Sequence, residues 1–178
     1  GGGTPVFQAF DDVDLPQRPA AVERARGDPR DQLAQLVVVT RARKRGAAYV
    51  AEQARAAIAD HGRFTFAVSG GLGPWAMFAH LVGQMPWEKV TIYQVDERVA
   101  PDGDPDRNLT NLQRSLPPGG AADVRPMPVG AHDLEEAAAA YARSLPEAFD
   151  LVHLGLGPDG HTASLFPGQP EAVRPSAA

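Results

Sequence analysis

Short, continuous apolar runs alternate with helical stretches along this chain, and this alternation constrains the fold more than any other feature. A continuous apolar run is typical of a strand that is buried on both faces of a parallel sheet. The sequence therefore predicts an α/β domain in three layers, with a mainly parallel sheet flanked by helices. The four runs are LVVVT at 36–40, FTFAV at 64–68, VTIYQV at 90–95 and DLVHLGL at 150–156.

Helical stretches separate these runs, and one weaker strand joins them. VRPMPV at 124–129 indicates an edge strand, because its prolines lack the N–H that a central strand must donate. Pro74 is well placed for the first turn of the helix that follows the glycine-rich loop. Helices are predicted at 42–60, 75–83, 109–115 and 134–145.

The composition excludes several classes of function. The net charge is −5, whereas nucleic-acid binding needs clustered Lys and Arg, so no nucleic-acid partner is expected. No apolar run has the length of a membrane span and no signal-peptide pattern opens the chain, so we expect a cytoplasmic protein without a membrane partner. The chain has no cysteine, and no spacing of its side chains indicates a metal site. Neither a metal nor another cofactor is expected.

The chain divides into a tail and one domain. Residues 1–34 are rich in Gly, Pro, Asp and Arg and show no sustained apolar period, which is typical of a disordered segment. Residues 35–178 are expected to form a single α/β domain. No helix or further strand pattern follows the last one to close the sheet on that side. A complete domain would be expected to be a monomer.

Three loops carry most of the chemistry of the chain, and each directly follows a predicted strand. Ligands of parallel α/β sheets bind outside the carboxyl ends of the strands. We therefore expect these loops to form one site. They are SGGLGP at 69–74, DER at 96–98 and GLGPDGHTASLFPG at 155–168.

The third loop fits the G-x-G-x-x-G pattern of dinucleotide-binding proteins at 155–160. That fold needs a second strand and an acidic residue about twenty positions further on, and neither is present here. The loop instead presents His161 among glycines and hydroxyl residues, where an imidazole can exchange protons near neutral pH. Taken alone, a single histidine in a glycine-rich turn is more typical of a surface residue. His153, inside the last predicted strand, is expected to be a core residue.

The other two loops suit an anion. Consecutive N–H groups of SGGLGP, entering a helix, favour phosphate binding, although a tight turn between strand and helix would also favour glycine. Asp96 can orient a histidine or bind a sugar hydroxyl, and Arg98 can donate two hydrogen bonds to a phosphate or carboxylate. A solvated cluster of charges is the alternative for the DER segment.

Three segments resemble those of the 6-phosphogluconolactonases, hydrolases of the oxidative pentose phosphate pathway. They are GRFTFAVSGGLGPWAMFAHL, VTIYQVDERVAPDGDPDRNLTNL and FDLVHLGLGPDGHTASLFPG, in the order of that family. The resemblance covers roughly residues 36–170, and it implies a domain that is incomplete at its C-terminus, where a sheet edge is left exposed. It implies a Rossmann-like fold of the sugar-phosphate isomerase type, with a phosphosugar lactone as the substrate. The implied reaction converts 6-phospho-D-glucono-1,5-lactone to 6-phosphogluconate.

The resemblance also implies roles for individual residues. His161 would act as the general base on a water molecule, and Asp96 would orient His161 or hold a substrate hydroxyl. The substrate phosphate would bind Arg98 and the N–H groups of Gly70, Gly71, Leu72 and Gly73. The remaining substrate-binding residues implied by the resemblance are Ser69, Asn108, Asp159 and Gly160.

The glycine-rich loop departs from the family pattern. That loop usually reads Gly-Gly-Ser-Thr-Pro, and here Leu72 and Gly73 replace both hydroxyl residues, which predicts a raised KM before a lowered kcat. Two alternatives remain open: a non-catalytic remnant that binds phosphosugars, and an isomerase similar to glucosamine-6-phosphate deaminase. In the deaminases the Asp-Gly-His is followed by Ile-Ala-Phe-Asn-Glu, whereas this chain continues with TASLFPG.

Overall fold

The computed structural model describes residues 29–117, 123–157 and 159–168. A short 3-10 helix, Trp87–Lys89, precedes the second strand. The helices are α1 (Pro29–His61), α2 (Leu72–Leu81), α3 (Asn108–Ser115) and α4 (Leu134–Ser144). The strands are β1 (Phe64–Val68), β2 (Val90–Gln94), β3 (Asp123–Arg125) and β4 (Leu151–His153).

The four strands form one sheet in the order β3-β2-β1-β4, and every neighbouring pair is parallel. This confirms the predicted α/β fold with a parallel sheet. Val68, the last residue of β1, lies opposite Gln94 of β2 on one side and His153 of β4 on the other. The loops that leave these three adjacent strands therefore start at the same edge of the sheet.

One face of the sheet carries the main core. Phe64, Phe66 and Val68 alternate along β1 and pack against α1 and α2, and all three side chains are buried. The ring centroids of Phe66 and Phe78 lie 6.2 Å apart in a stacked arrangement. The buried side of α1 consists mainly of alanines, which lets this helix approach the sheet closely.

The other face is covered by α4, which has no buried residue. The Tyr141 hydroxyl holds this helix in place, because it accepts a hydrogen bond from the Gln94 N–H at 3.1 Å and lies 3.3 Å from the Arg125 carbonyl oxygen. Burial raises the pKa of Tyr141, so its hydroxyl keeps its proton at neutral pH. None of the helices that the structure describes has the length and apolar character needed to cross a membrane.

The prediction of a strand at 36–40 is wrong, because these residues lie inside α1. A short apolar run is compatible with either state, and no glycine or proline separates this run from the alanine-rich helix after it. The predicted end of the tail at residue 34 falls inside α1 as well. The tail before residue 29 lies outside the described residues.

The remaining element predictions are confirmed with shifted bounds. β1 has its predicted limits, whereas β2 ends one residue early and the last strand shrinks to Leu151–His153. The edge strand near 124–129 is confirmed as β3 at one edge of the sheet. It ends at Arg125, because Pro126 and Pro128 have no N–H to donate to a neighbouring strand.

Candidate active site

A cavity of about 260 Å³ opens at the carboxyl ends of β1, β2 and β4. All three predicted loops contribute to it. The predicted site residues that line it are Ser69, Gly70, Gly71, Asp96, Arg98, Asn108 and His161. The residues that line it without having been predicted are Gly155, Leu156, Gly157 and Ala163. Four predicted site residues, Leu72, Gly73, Asp159 and Gly160, lie outside this lining.

The loop after β1 lines the cavity with Ser69, Gly70 and Gly71. Ser69 is buried, its N–H donates to the His153 carbonyl oxygen at 3.1 Å, and its hydroxyl oxygen accepts from the Gly155 N–H at 3.3 Å. Ser69 therefore fastens the first loop to the third. Gly70 has no room for a side chain, because a Cβ there would overlap the Asn108 amide. Gly71 has a φ of 121°, a conformation that favours glycine.

Asp96 joins the second loop to the third. Its Oδ2 accepts a hydrogen bond from the Ser164 hydroxyl at 2.9 Å. Its carbonyl oxygen accepts from the Asn108 side-chain amide at 3.1 Å, and that amide nitrogen lies 3.4 Å from Asp96 Oδ1. Arg98 is exposed at the cavity, and no hydrogen bond or ion pair within the described residues engages its guanidinium group.

Glu97, between these two residues, holds the second loop against α3. Its side chain is fully buried and accepts hydrogen bonds at 2.7 Å from the N–H groups of Arg98 and Asn108, and at 2.9 Å from that of Leu109. The Gln94 amide donates to it at 2.8 Å. Burial acts to raise the pKa of Glu97, but these hydrogen bonds outweigh it and lower the pKa below 4.5.

Sequence reasoning missed the role of Glu97. A helix without a capping side chain leaves N–H groups at its start without partners. A carboxylate that follows a strand shortly before such a helix can accept hydrogen bonds from these groups, and this is the signal that could have revealed Glu97. Arg107, the residue before α3, is 3% exposed and also lies near Glu97, with Nε 3.5 Å from Glu97 Oε2. The Arg107 guanidinium also pairs with the exposed carboxylate of Asp102.

Asp159 and Phe166 hold the side chain of His161 in position. Its Nδ1 donates to Asp159 Oδ1 at 2.5 Å, its main-chain N–H lies 3.3 Å from the same oxygen, and its ring lies 5.0 Å from that of Phe166. The hydrogen bond with His161 lowers the pKa of Asp159, so this carboxylate is charged at neutral pH. Gly157 lies beneath the imidazole, where a Cβ would overlap the ring. With Nδ1 engaged, Nε2 is free to accept a proton.

The expectation that Asp96 orients His161 is wrong, because Asp159 contacts the imidazole and Asp96 is bonded to Ser164. The turn places Asp159 there: Gly160 has a φ of 87° and its N–H donates to the Gly157 carbonyl oxygen at 3.0 Å. That Asp96 holds a substrate hydroxyl remains a prediction.

Other titratable side chains near the site are less available for catalysis. Burial lowers the pKa of His153, and its Nδ1 has no hydrogen-bond partner among the described residues, so the imidazole is neutral at pH 7. This agrees with its expected place in the interior. Within the described ranges, no three His, Cys, Asp or Glu side chains are grouped closely enough to bind a metal ion.

The fold and the site define an α/β protein whose parallel strands present a histidine, a carboxylate and an arginine at one edge. Residues 40–178 match the family model described as glucosamine-6-phosphate isomerases/6-phosphogluconolactonase. The chain belongs to this family.

Individual relatives within the family are 6-phosphogluconolactonases. The 6-phosphogluconolactonase of Mesorhizobium japonicum is 44% identical over 125 residues, which are 66% of this chain and 52% of that protein. The one from Synechocystis sp. is 40% identical over 131 residues, covering 64% of this chain and 53% of that protein. The chain therefore spans about half the length of these curated relatives.

Solved structures agree with this assignment. A 6-phosphogluconolactonase structure from Shewanella baltica superposes with a TM-score of 0.69 at 28% identity, covering 79% of this chain and 64% of that one. A monomeric glucosamine-6-phosphate deaminase has a TM-score of 0.60 at 16% identity, covering 68% of this chain and 53% of that one. The deaminase shows a shared fold only.

Proposed function

We propose that this chain carries the catalytic site of a 6-phosphogluconolactonase and hydrolyses 6-phospho-D-glucono-1,5-lactone to 6-phosphogluconate. The observation that carries the proposal is the His161–Asp159 pair at a cavity that also holds Arg98, whose guanidinium group no described residue engages. Lactone hydrolysis needs a base that works near neutral pH and donors for the developing oxyanion. The names of the relatives, 6-phosphogluconolactonase, support the same substrate.

In the proposed mechanism His161 acts as a general base through Nε2. A water molecule loses a proton to Nε2 while its oxygen attacks the lactone carbonyl carbon, and the carbonyl electrons move to its oxygen. Asp159 stabilises the imidazolium that forms, because its carboxylate accepts the Nδ1 hydrogen bond. The tetrahedral intermediate then collapses, the bond to the ring oxygen breaks, and Nε2 returns its proton to that oxygen. General-base catalysis of this kind contributes roughly 10²–10⁴-fold to a rate.

The substrate phosphate is proposed to bind at the start of α2 and to Arg98. The N–H groups of Leu72 and Gly73 form the positive end of the α2 dipole and those of Gly70 and Gly71 directly precede it, an arrangement that favours an anion. Ser69, Asn108 and Gly160 shape the pocket around the lactone ring. We further propose that the protein acts in the cytoplasm, that a complete domain is a monomer, and that the protein binds no nucleic acid, in keeping with its net charge of −5.

The deciding experiment is hydrolysis of freshly generated lactone at neutral pH, with the spontaneous rate subtracted. The wild-type chain should exceed the background rate, and His161→Ala should lose about 10²–10⁴-fold in kcat. His132→Ala, an exposed histidine away from the cavity, is the matched control and should retain the wild-type rate. Circular dichroism of each variant establishes that it is folded.

Three results would contradict the proposal. Turnover that survives in His161→Ala would remove the general base from the mechanism. A folded wild-type chain without turnover, but with thermal stabilisation by 6-phosphogluconate, would support a non-catalytic protein that binds phosphosugars. Release of ammonia from glucosamine 6-phosphate would indicate a deaminase instead.

A further inference from the structure

Gln94, the last residue of β2, has a buried side chain that joins this strand to the second loop of the site. The residue is 4% exposed and lies outside the lining of the cavity. Its Nε2 donates to Glu97 Oε2 at 2.8 Å, and its Oε1 accepts from the Met127 N–H at 2.9 Å. Both ends of the amide are therefore engaged away from the reacting groups.

The partners of Gln94 allow its amide only one orientation. A carboxylate only accepts hydrogen bonds and a main-chain N–H only donates, so the NH₂ group faces Glu97 and the carbonyl oxygen faces Met127. The main chain of Gln94 is fixed as well, because its N–H donates to the Tyr141 hydroxyl at 3.1 Å. Gln94 is therefore a rigid support for the Glu97 carboxylate.

Glu97 connects this support to two residues that line the cavity. Its Oε1 accepts from the N–H groups of Arg98 and Asn108, whereas the bond from Gln94 goes to the other oxygen, Oε2. Arg107 Nε lies 3.5 Å from Oε2 and has no hydrogen-bond partner among the described residues, so it does not replace the amide. Loss of the amide would leave the carboxylate freer to rotate and to shift both N–H groups.

We infer that Gln94 is a positioning residue for substrate binding, which acts through the carboxylate of Glu97. By holding this carboxylate, Gln94 keeps Arg98 and Asn108 at the cavity. This inference rests on the proposed lactonase function, in which Arg98 binds the phosphate and Asn108 shapes the pocket. The general base His161 is positioned by contacts within the third loop instead. Loss of the Gln94 amide should therefore act on KM rather than on kcat.

Gln94→Met removes the amide with little change in side-chain volume. KM for the lactone should rise about tenfold, because a hydrogen bond to a charged group is lost, and kcat should stay within about twofold of the wild-type value. Gln113→Met, at an exposed position on α3, is the matched control and should leave both constants unchanged. The inference is overturned if KM stays at the wild-type value or if the loss is in kcat instead.

Gln94→Glu gives a pH dependence that a merely structural role would not produce. The new carboxyl would lie within hydrogen-bond distance of Glu97, and two such groups share a proton at low pH but repel each other when both are charged. The KM of the variant relative to wild type should be raised about tenfold or more at pH 8 and approach the wild-type value near pH 5.5. Gln113→Glu adds the same charge at an exposed position and should match the wild type at both pH values.

Circular dichroism at both pH values establishes that each variant is folded. If one of the two variants at position 94 does not fold, the other decides. A folded Gln94→Glu whose relative KM is the same at both pH values would overturn the inference, because Gln94 would then not act through the carboxylate of Glu97.

Amide hydrogen exchange separates this inference from the proposed activity. If the wild-type chain does not hydrolyse the lactone, the proposed function fails, but exchange of the Arg98 and Asn108 N–H groups still reports how Glu97 is held. In Gln94→Met both groups should exchange about tenfold faster. The Ser69 N–H, which is bonded to β4, should exchange as in the wild type. Unchanged exchange at Arg98 and Asn108 would overturn the inference.

Discussion

The pair formed by His161 and Asp159 is the smallest unit of the site that can be tested. In Asp159→Asn, the amide can donate to Nδ1 and favour the tautomer whose proton lies on Nε2, the wrong state for a base. We expect kcat to fall by about ten- to a hundredfold, a part of the roughly 10²–10⁴-fold that a general base contributes. Initial rates at saturating lactone measure kcat for the wild type and for Asp159→Asn.

A suitable control for that substitution is Asp123→Asn. Asp123 is a half-exposed carboxylate on β3 that pairs with Arg125, outside the cavity lining. The Asp123→Asn substitution should therefore leave kcat unchanged. Equal rates for wild type and Asp159→Asn would mean that Asp159 plays no part in setting the state of the imidazole.

Gly157 limits where the imidazole can lie. In Gly157→Ala the new methyl group would overlap the His161 ring and push it away from its present position. A displacement of about 1 Å can cost roughly a hundredfold in rate, so kcat should fall far more than thermal stability. Gly130→Ala, where a Cβ meets no neighbour, is the control. A normal kcat in Gly157→Ala would show that the His161 ring has another position from which it can act.

Sequence reasoning identified the residues of the site better than their contacts. His161, Asp96 and Arg98 could be predicted because each follows a parallel strand, and such residues meet at one edge of a sheet. Which carboxylate reaches His161 depends on the turn at Gly160, whose positive φ places Asp159 beside the ring. This is a property of loop conformation, which residue spacing does not determine.

At the scale of elements, Glu97 fixes the start of α3 relative to β2. Its pKa in the folded protein lies below 4.5, so the unfolded chain binds the proton more tightly. The contribution of Glu97 to the free energy of unfolding is therefore fully present above pH 4.5, the ordinary pKa of a glutamate. This contribution is lost as the pH falls through the lower pKa that Glu97 has in the folded protein. In Glu97→Gln the free energy of unfolding should drop by about 1–3 kcal/mol at pH 7 and depend less on pH below 4.5.

Urea unfolding at pH 7 and pH 4 measures this difference. Glu88→Gln, an exposed carboxylate in the 3-10 helix, should unfold like the wild type at both values. Because Glu97 also positions Arg98 and Asn108, its glutamine variant should bind lactone more weakly as well. An unchanged pH dependence would show that Glu97 does not titrate differently in the folded and unfolded states.

The elements themselves could be predicted where two signals agree. β1 and α4 combine a clear apolar pattern with a turn or capping residue at their ends, such as Asp133, which caps α4 through the N–H groups of Glu135 and Glu136. The run at 36–40 had only its apolar character and lacked a boundary signal toward the helix after it. Its helical state is set by the residues that continue α1.

At the scale of the whole molecule, the two faces of the sheet differ in how they are covered. α1 and α2 bury one face in a continuous core, whereas α4 leaves a groove of about 500 Å³ on the other. The groove is lined mainly by apolar side chains, among them Val95, Leu145, Phe149 and Val152.

An exposed groove of this size and character should bind an apolar dye. We expect the folded chain at pH 7 to enhance the fluorescence of anilinonaphthalene sulfonate, without the loss of near-ultraviolet circular dichroism that marks a partly unfolded state. Ala137→Leu should reduce the enhancement, because Ala137 lines the groove and a larger side chain fills part of it. Ala139→Leu, on the same helix but outside the lining, should not. Equal enhancement in the two variants would place the dye elsewhere and show that this face of the sheet is closed in solution.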